Sequence, residues 1–239
     1  MKPTIVLYTH TDVKDVWLPF FGQTEKWLGD YKKVILVNKD DEVIPADYKR
    51  IFYNDTKIYR ERLITCLEQL DDELIIFHHE DMFLYNKPDL NRIELYSDYL
   101  INSNESFIKL IRGGIQVGID NNSYSDLKKI DATFEYIFAI QPVIWKTNKL
   151  LEVVKYSGGN TIWEFEVAAQ KTCRERNIFG YYVDDNGNQR GGLHWDSKIY
   201  PYVATAVIKG KWNTREYPNE LKDIFQKYNI DLSVRQTNG

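Results

Sequence analysis

The chain has 239 residues, 43% of them hydrophobic and 14% aromatic, enough for one sizeable core in one large domain or one domain with a small appendage. Its 31 basic and 35 acidic residues leave a net charge of −4, which offers no basic surplus for a nucleic-acid backbone. The apolar run in MKPTIVLYTHTD is too short for a signal peptide, and no run approaches the ~20 residues of a membrane span, so a soluble, cytoplasmic protein is expected, with peripheral membrane contact left open.

Thr4–Tyr8 (TIVLY) reads as a first buried strand ending at Thr9-His10-Thr11-Asp12. Trp17, Phe20, Phe21 and Trp27 then recur at helical spacing. Lys33–Val37 (KVILV) predicts a second strand that ends at Asn38-Lys39-Asp40-Asp41, and Tyr48–Tyr53 a weaker third that ends at Asn54-Asp55. Tyr59, Leu63, Leu67 and Leu70 form the next helical stripe, with Asp55 or Thr56 as its cap. Leu74–Phe77 is a short β-prone run that stops at His78-His79-Glu80-Asp81. Beyond it, Leu90, Ile93, Tyr96 and Leu100 predict a helix, and Phe107–Ile111 and Phe134–Ile140 predict strands around a loop or hairpin from Gly113 to Asp131. Thr147 is placed to cap a helix that ends at Gly158-Gly159. Thr161–Glu164 fits a capping box ahead of a helix over Phe165–Arg174. A last amphipathic helix runs through Leu221, Ile224, Phe225 and Tyr228. The two cysteines, Cys66 and Cys173, fall on apolar helix positions as small buried hydrophobes, which fits a reducing compartment.

Strands and helices alternate through the first eighty residues or so, which implies an α/β layered fold with a largely parallel sheet. Each of the four strands carries polar residues at its carboxyl end, where open α/β sheets place their ligand crevice. The four polar clusters are therefore expected to form one site. Within it, Glu80 and Asp81 are adjacent carboxylates at the end of a buried strand, a costly arrangement that a divalent cation compensates. The competing reading is a solvated turn.

The same pieces, in order, resemble a GT-A type nucleotide-sugar glycosyltransferase. A first strand ends in a polar turn (Thr9-His10-Thr11), a second in acids (Asp40-Asp41), and a helix carries Arg60 and Arg62. A strand then ends in the acidic motif His79-Glu80-Asp81, followed by FAIQPVIW (Phe138–Trp145), NTIWEFE (Asn160–Glu166) and a late His194. The resemblance spans roughly Thr4 to Trp212 and is nearest to the small transferases of bacterial and viral surface-glycan gene clusters. It implies a single-domain GT-A (Rossmann-like) fold over residues 1–215, with a mixed, mainly parallel sheet flanked by helices. Residues 216–239 would be a C-terminal helix and tail packed on or trailing that domain. The usual metal motif is Asp-x-Asp, and here His79 stands at its first position. No Gly-rich loop follows the first strand, as a sugar nucleotidyltransferase would require, and Tyr8–Asp12 contains no Lys or Arg.

The resemblance implies a metal-dependent, inverting transfer of a hexosyl or deoxyhexosyl group in polysaccharide biosynthesis. The donor would be a UDP-, GDP- or dTDP-linked sugar, and the acceptor a glycan or a lipid-linked glycan. Asp81, with His79 and His194, would hold Mn²⁺ or Mg²⁺. The alternatives for His194 are a contact with the diphosphate and packing beside Trp195. Thr9, His10, Asp12, Asp40, Asp41, Arg62, His79 and Glu80 would meet the nucleotide sugar. Glu164 is the expected general base, at a helix N-terminus facing the crevice. The capping box offers it a merely structural role, in which case Glu166 is the base. Gln141 and Trp163 would meet the acceptor. An inactive sugar- or nucleotide-binding module and a metal-dependent phosphohydrolase are the rival readings.

Overall fold

The computed structural model describes residues 1–239. In chain order its elements are β1 (Thr4–Tyr8), a 3₁₀ turn (Thr11–Val16), α1 (Trp17–Leu28), β2 (Lys33–Val37), β3 (Tyr48–Phe52), α2 (Tyr59–Leu67) and β4 (Leu74–His79). Next come α3 (Leu90–Ile101), β5 (Phe107–Lys109), β6 (Ile119–Asp120), β7 (Leu127–Ile130), β8 (Val143–Lys146), α4 (Thr147–Tyr156) and α5 (Ile162–Glu175). The last are β9 (Gly180–Val183), β10 (Gln189–Arg190), β11 (His194–Trp195), β12 (Val207–Ile208), β13 (Lys211–Trp212) and α6 (Pro218–Tyr228).

Nine strands form one sheet in the order β3-β2-β1-β4-β8-β5-β9-β7-β6. β3, β2, β1 and β4 are mutually parallel, and β5 and β9 form a second parallel pair. β8 and β7 run against their neighbours, so the sheet is mixed and mainly parallel, as expected. β1, β2 and β4 are buried along their whole length, which explains why they read as continuous apolar runs.

Alternation along the strands feeds two cores. Ile5 and Leu7 of β1 pack on one face with Trp17 and Phe20 of α1, Tyr96 of α3 and Leu221 and Ile224 of α6. Val6 and Tyr8 pack on the other with Leu63 of α2, Val153 of α4 and Phe165 and Ala169 of α5. Burying each large aliphatic side chain contributes about 1.5–3 kcal/mol, so these two layers are the main source of stability.

Three local expectations are corrected. Phe134–Ile140 is a series of turns rather than a strand. Its apolar side chains are buried, but α5 satisfies its backbone: Gln170 accepts from the Phe138 N–H, Glu166 from that of Ile140, and Arg174 donates to the Phe134 carbonyl. Thr147 is not a cap; Lys146 occupies that position, and the Thr147 hydroxyl donates to the Asp72 carbonyl. Neither Asp55 nor Thr56 caps α2, whose N-cap is Ile58 without a side-chain bond. The C-terminal segment is integral to the domain. Leu221 and Ile224 enter the core, and the Trp212 N–H donates to the Gln236 carbonyl at 2.8 Å.

Candidate active site

The strand order sets the carboxyl ends of β3, β2, β1 and β4 side by side. Thr9, just past β1, is fixed twice: the Trp17 indole donates to its hydroxyl at 2.8 Å, and the Tyr53 hydroxyl donates to its carbonyl at 2.7 Å. On the other side of β1, His10 Nε2 donates to Asp55 Oδ1 at 3.0 Å, since its Nδ1 accepts from the Asp12 N–H. Asn38, past β2, donates to Asp55 Oδ2 at 3.0 Å. Arg62 donates to the Asp55 carbonyl and lies 5.4 Å over the Tyr53 ring. Three of the four polar clusters thus interlock through Asp55. Asp40 and Asp41 stand apart, paired with Arg50 at 2.8 Å and with Lys14 at 3.0 Å.

Beside this network lies a cleft of about 560 Å³. Glu80 and Asp81 end β4 at its wall. The turns around Gly113 and Tyr136–Gln141, the start of α5, β11, the Ala204–Val207 segment and Arg235 also line it. Of the expected residues, His79, Glu80, Asp81, Gln141, Trp163, Glu166 and His194 line the cleft. Thr9, His10, Asp12, Asp40, Asp41, Arg62 and Glu164 do not.

Glu80 and Asp81 are both half-buried. Burial, and for Glu80 also the Asp81 charge, raises their pKa values above the ordinary carboxylate range. A hydrogen bond from the Val207 N–H to Asp81 Oδ2 at 3.4 Å only partly offsets this. The pair behaves as one desolvated acidic unit.

The structure does not assemble the expected metal set of Asp81, His79 and His194, and nowhere are three His, Cys, Asp or Glu side chains grouped to hold an ion. Strand alternation turns His79 toward α2, where its Nε2 lies 3.2 Å from the Tyr59 hydroxyl, and burial pushes its pKa down to about 3. His194 Nδ1 lies 3.0 Å from Glu216 Oε2. A carboxylate accepts, so Nδ1 carries a proton. His78 is a core residue, donating through Nδ1 to the Met82 carbonyl and accepting at Nε2 from Tyr200. The remaining donor set, two adjacent carboxylates, fits Mg²⁺ or Mn²⁺, which take one or two carboxylates and leave other positions to water and phosphate.

Glu164 is corrected as a base candidate. Its Oε2 accepts from the N–H groups of Asn160 and Thr161 at 2.8 and 3.2 Å, and the Thr161 hydroxyl accepts from the Glu164 N–H, completing the capping box. Those bonds hold its pKa below the usual carboxylate range. Glu166, two residues on, faces the cleft, and one oxygen is fixed by the Ile140 N–H at 2.8 Å. Trp163 is 75% exposed at the cleft mouth, and Val167, one turn further along the same face of α5, is 73% exposed. The Gln141 amide donates to the Ile111 carbonyl at 3.2 Å.

Lys109, Glu216 and Arg235 escaped the sequence reading. A lysine inside the apolar run Phe107–Ile111 was a usable signal. Lys109 is 2% exposed, donates to the Tyr136 carbonyl, and is pushed down to about 7 by burial. Glu216 and Arg235 sit in polar stretches with no periodicity to mark them.

No family model and no curated protein matches the sequence. Solved structures do match in fold. A Staphylococcus aureus TarS 1–349 structure superposes with a TM-score of 0.55 at 11% identity, covering 100% of this chain and 67% of TarS 1–349. The same fragment in complex with UDP gives 0.52 at 12% identity, covering 98% and 68%. A longer TarS structure is 41% covered. A cytidylyltransferase from Leptospira borgpetersenii serovar Hardjo-bovis gives 0.50 at 12% identity, covering 100% and 99%. The chain therefore has the Rossmann-like fold common to GT-A glycosyltransferases and nucleotidyltransferases, and the resemblance expected from its sequence holds at the level of fold.

Proposed function

We propose that the protein transfers a glycosyl group from a nucleoside diphosphate sugar to a hydroxyl of a glycan or lipid-linked glycan. The observation that carries this reading is the desolvated Glu80–Asp81 pair at the end of β4, facing Glu166 across a cleft large enough for a sugar nucleotide. Glu80 and Asp81 would hold Mn²⁺ or Mg²⁺, which when bound neutralises the charge developing on the leaving diphosphate. Glu166 takes the proton of the acceptor hydroxyl as its oxygen bonds the anomeric carbon, and the bond from that carbon to the diphosphate breaks with its electron pair. Attack opposite the leaving group inverts the anomeric centre. The His10–Asn38–Asp55 network at the neighbouring strand ends would meet the nucleoside, and the exposed ring of Trp163 would stack on an acceptor sugar.

Thermal-shift measurements with UDP-, GDP- and dTDP-sugars, with and without Mn²⁺, test the donor site, because a ligand of the native state raises Tm by mass action. A Mn²⁺-dependent rise with one nucleotide class, abolished in Asp81→Asn, is expected. Turnover should release the nucleoside diphosphate and leave the sugar on the acceptor. Release of pyrophosphate would mean nucleotidyl transfer, release of phosphate without acceptor a phosphohydrolase, and binding without turnover a non-catalytic module.

A further inference from the structure

We propose that Arg235, carried into the cleft by the C-terminal tail, is the cation that receives the diphosphate of the nucleotide. This rests on the donor site proposed above and adds a residue from a segment that the fold does not need for its sheet.

The tail inverts the usual burial preference. Leu232 and Val234 are 41% and 67% exposed, while the charged Arg235 that follows them is turned inward, with its side chain 14% exposed. Two features hold it there. Nε and Nη2 donate to the Asp15 carboxylate at 2.8 and 3.1 Å, and Nη1 donates to the Gly210 carbonyl at 3.0 Å. The tail itself is latched to β13, with the Trp212 N–H donating to Gln236 at 2.8 Å and the Asn238 N–H donating to Trp212 at 3.0 Å.

The β12–β13 hairpin sets Arg235 against the acidic pair. At one end its Val207 N–H donates to Asp81, and at its tip the Gly210 carbonyl accepts from Arg235. The tip is tight, with Lys209 at φ 49° and Gly210 at φ 76°, so both bonds come from one short rigid piece. Arg235 and the two carboxylates accordingly share one wall of the cleft, close enough for their charges to act on one another.

The guanidinium has five N–H groups, and the three bonds above leave two for a ligand. A latch to Asp15 accounts for the tail's position. It does not account for a guanidinium lining the cleft beside two acids. A diphosphate bound between a cation on Glu80 and Asp81 and the fork of Arg235 accounts for both, since a guanidinium matches phosphate oxygens in geometry as well as charge.

The test compares the dissociation constants of the nucleoside mono- and diphosphates of the preferred base, in Mn²⁺, for wild type, Arg235→Met and Asp15→Asn. Asp15→Asn loosens the latch and keeps the guanidinium. Arg235→Met is expected to shrink the preference for diphosphate over monophosphate by about 10- to 100-fold, the range for a hydrogen bond to a charged group. Asp15→Asn should keep most of the preference. Equal losses in the two variants, or an unchanged preference in Arg235→Met, overturn the proposal and leave Arg235 as a latch. If Arg235→Met does not fold, Arg235→Lys, which keeps the charge and loses the fork, should retain binding with a smaller preference, and a full preference there overturns the proposal as well. A wild type that binds no nucleotide refutes the donor site itself, and this inference with it.

Discussion

Replacing Lys109 by Met is expected to stabilise the protein at neutral pH, against the usual direction for a core substitution. Lys109 sits on a central strand, 2% exposed, and the only hydrogen bond of its side chain is to the Tyr136 carbonyl. Burial draws its pKa from 10.5 to about 7, with Cys173 and Glu166 offsetting a part. At about 1.4 kcal/mol per pH unit the desolvation cost carried at pH 7 is capped at about 5 kcal/mol. Removing the ammonium leaves the Tyr136 carbonyl unpaired, a loss of about 1–3 kcal/mol. The net gain is then about 2 kcal/mol, a rise in Tm of about 4–8 °C for a domain of this size. The sign follows from linkage. The folded-state pKa lies below the unfolded one, so between pH 7 and 10.5 the unfolded chain binds more protons, and wild-type stability rises with pH across that window. The advantage of Met should therefore shrink as pH rises and be gone near pH 10.5. Urea unfolding of both proteins at pH 7 and pH 10 measures it, with contributions from other groups cancelling in the difference. A Met variant less stable by the same amount at both values would show that Lys109 is a paired charge and that the cleft floor is not desolvated.

Two further expectations concern proton handling in the cleft. Glu166→Gln should lower kcat by about 10²- to 10⁴-fold with little change in donor KM, while Glu164→Gln should leave kcat near wild type. The opposite pattern in steady-state kinetics would return the base to the capping position. Gly191→Ala should disturb His194 from a distance: Gly191 has φ 56°, and a Cβ there would come within 2.4 Å of Glu216 Oε1, the carboxylate that orients the imidazole. It is expected to lose about 1–3 kcal/mol of stability and to match Glu216→Gln in turnover; a strained protein with unchanged kcat would show that the Glu216–His194 pair serves only the hairpin.

The sequence made the parallel half of the sheet readable because its strands are buried on both faces. IVLY, VILV and LIIF are unbroken apolar runs within β1, β2 and β4, and their length and composition identify them. The polar residues after each run then followed from the position of the crevice in such folds. Phe134–Ile140 misled because its apolar side chains are buried while its backbone is served by Gln170 and Glu166, and composition does not distinguish a strand partner from a helix side chain. The same bond explains part of the confusion over the base. Thr161-x-x-Glu164 is a strong local signal for a cap, and the cap is what forms; Glu166 has no local signature, because what marks it is a turn some 26 residues earlier in the chain.

The cleft's charges favour one order of events under the proposed function. Glu80, Asp81, Glu135 and Glu166 line it against Lys109 and Arg235, and burial weakens the charge of Lys109. A bare diphosphate would meet more negative charge than positive. With a divalent cation on Glu80 and Asp81, the cleft would become attractive to the diphosphate, and Arg235 lines it as a further positive charge. Under that proposal, the cost of holding two carboxylates together at the end of a buried strand would favour the cation, and the bound cation would favour the phosphates. That sequence ties nucleotide affinity to the protonation of the acidic pair. Both carboxylates have raised pKa values, so protons compete with the cation further toward neutral pH than at an exposed site, and nucleotide binding should fall away with the cation as the solution is acidified.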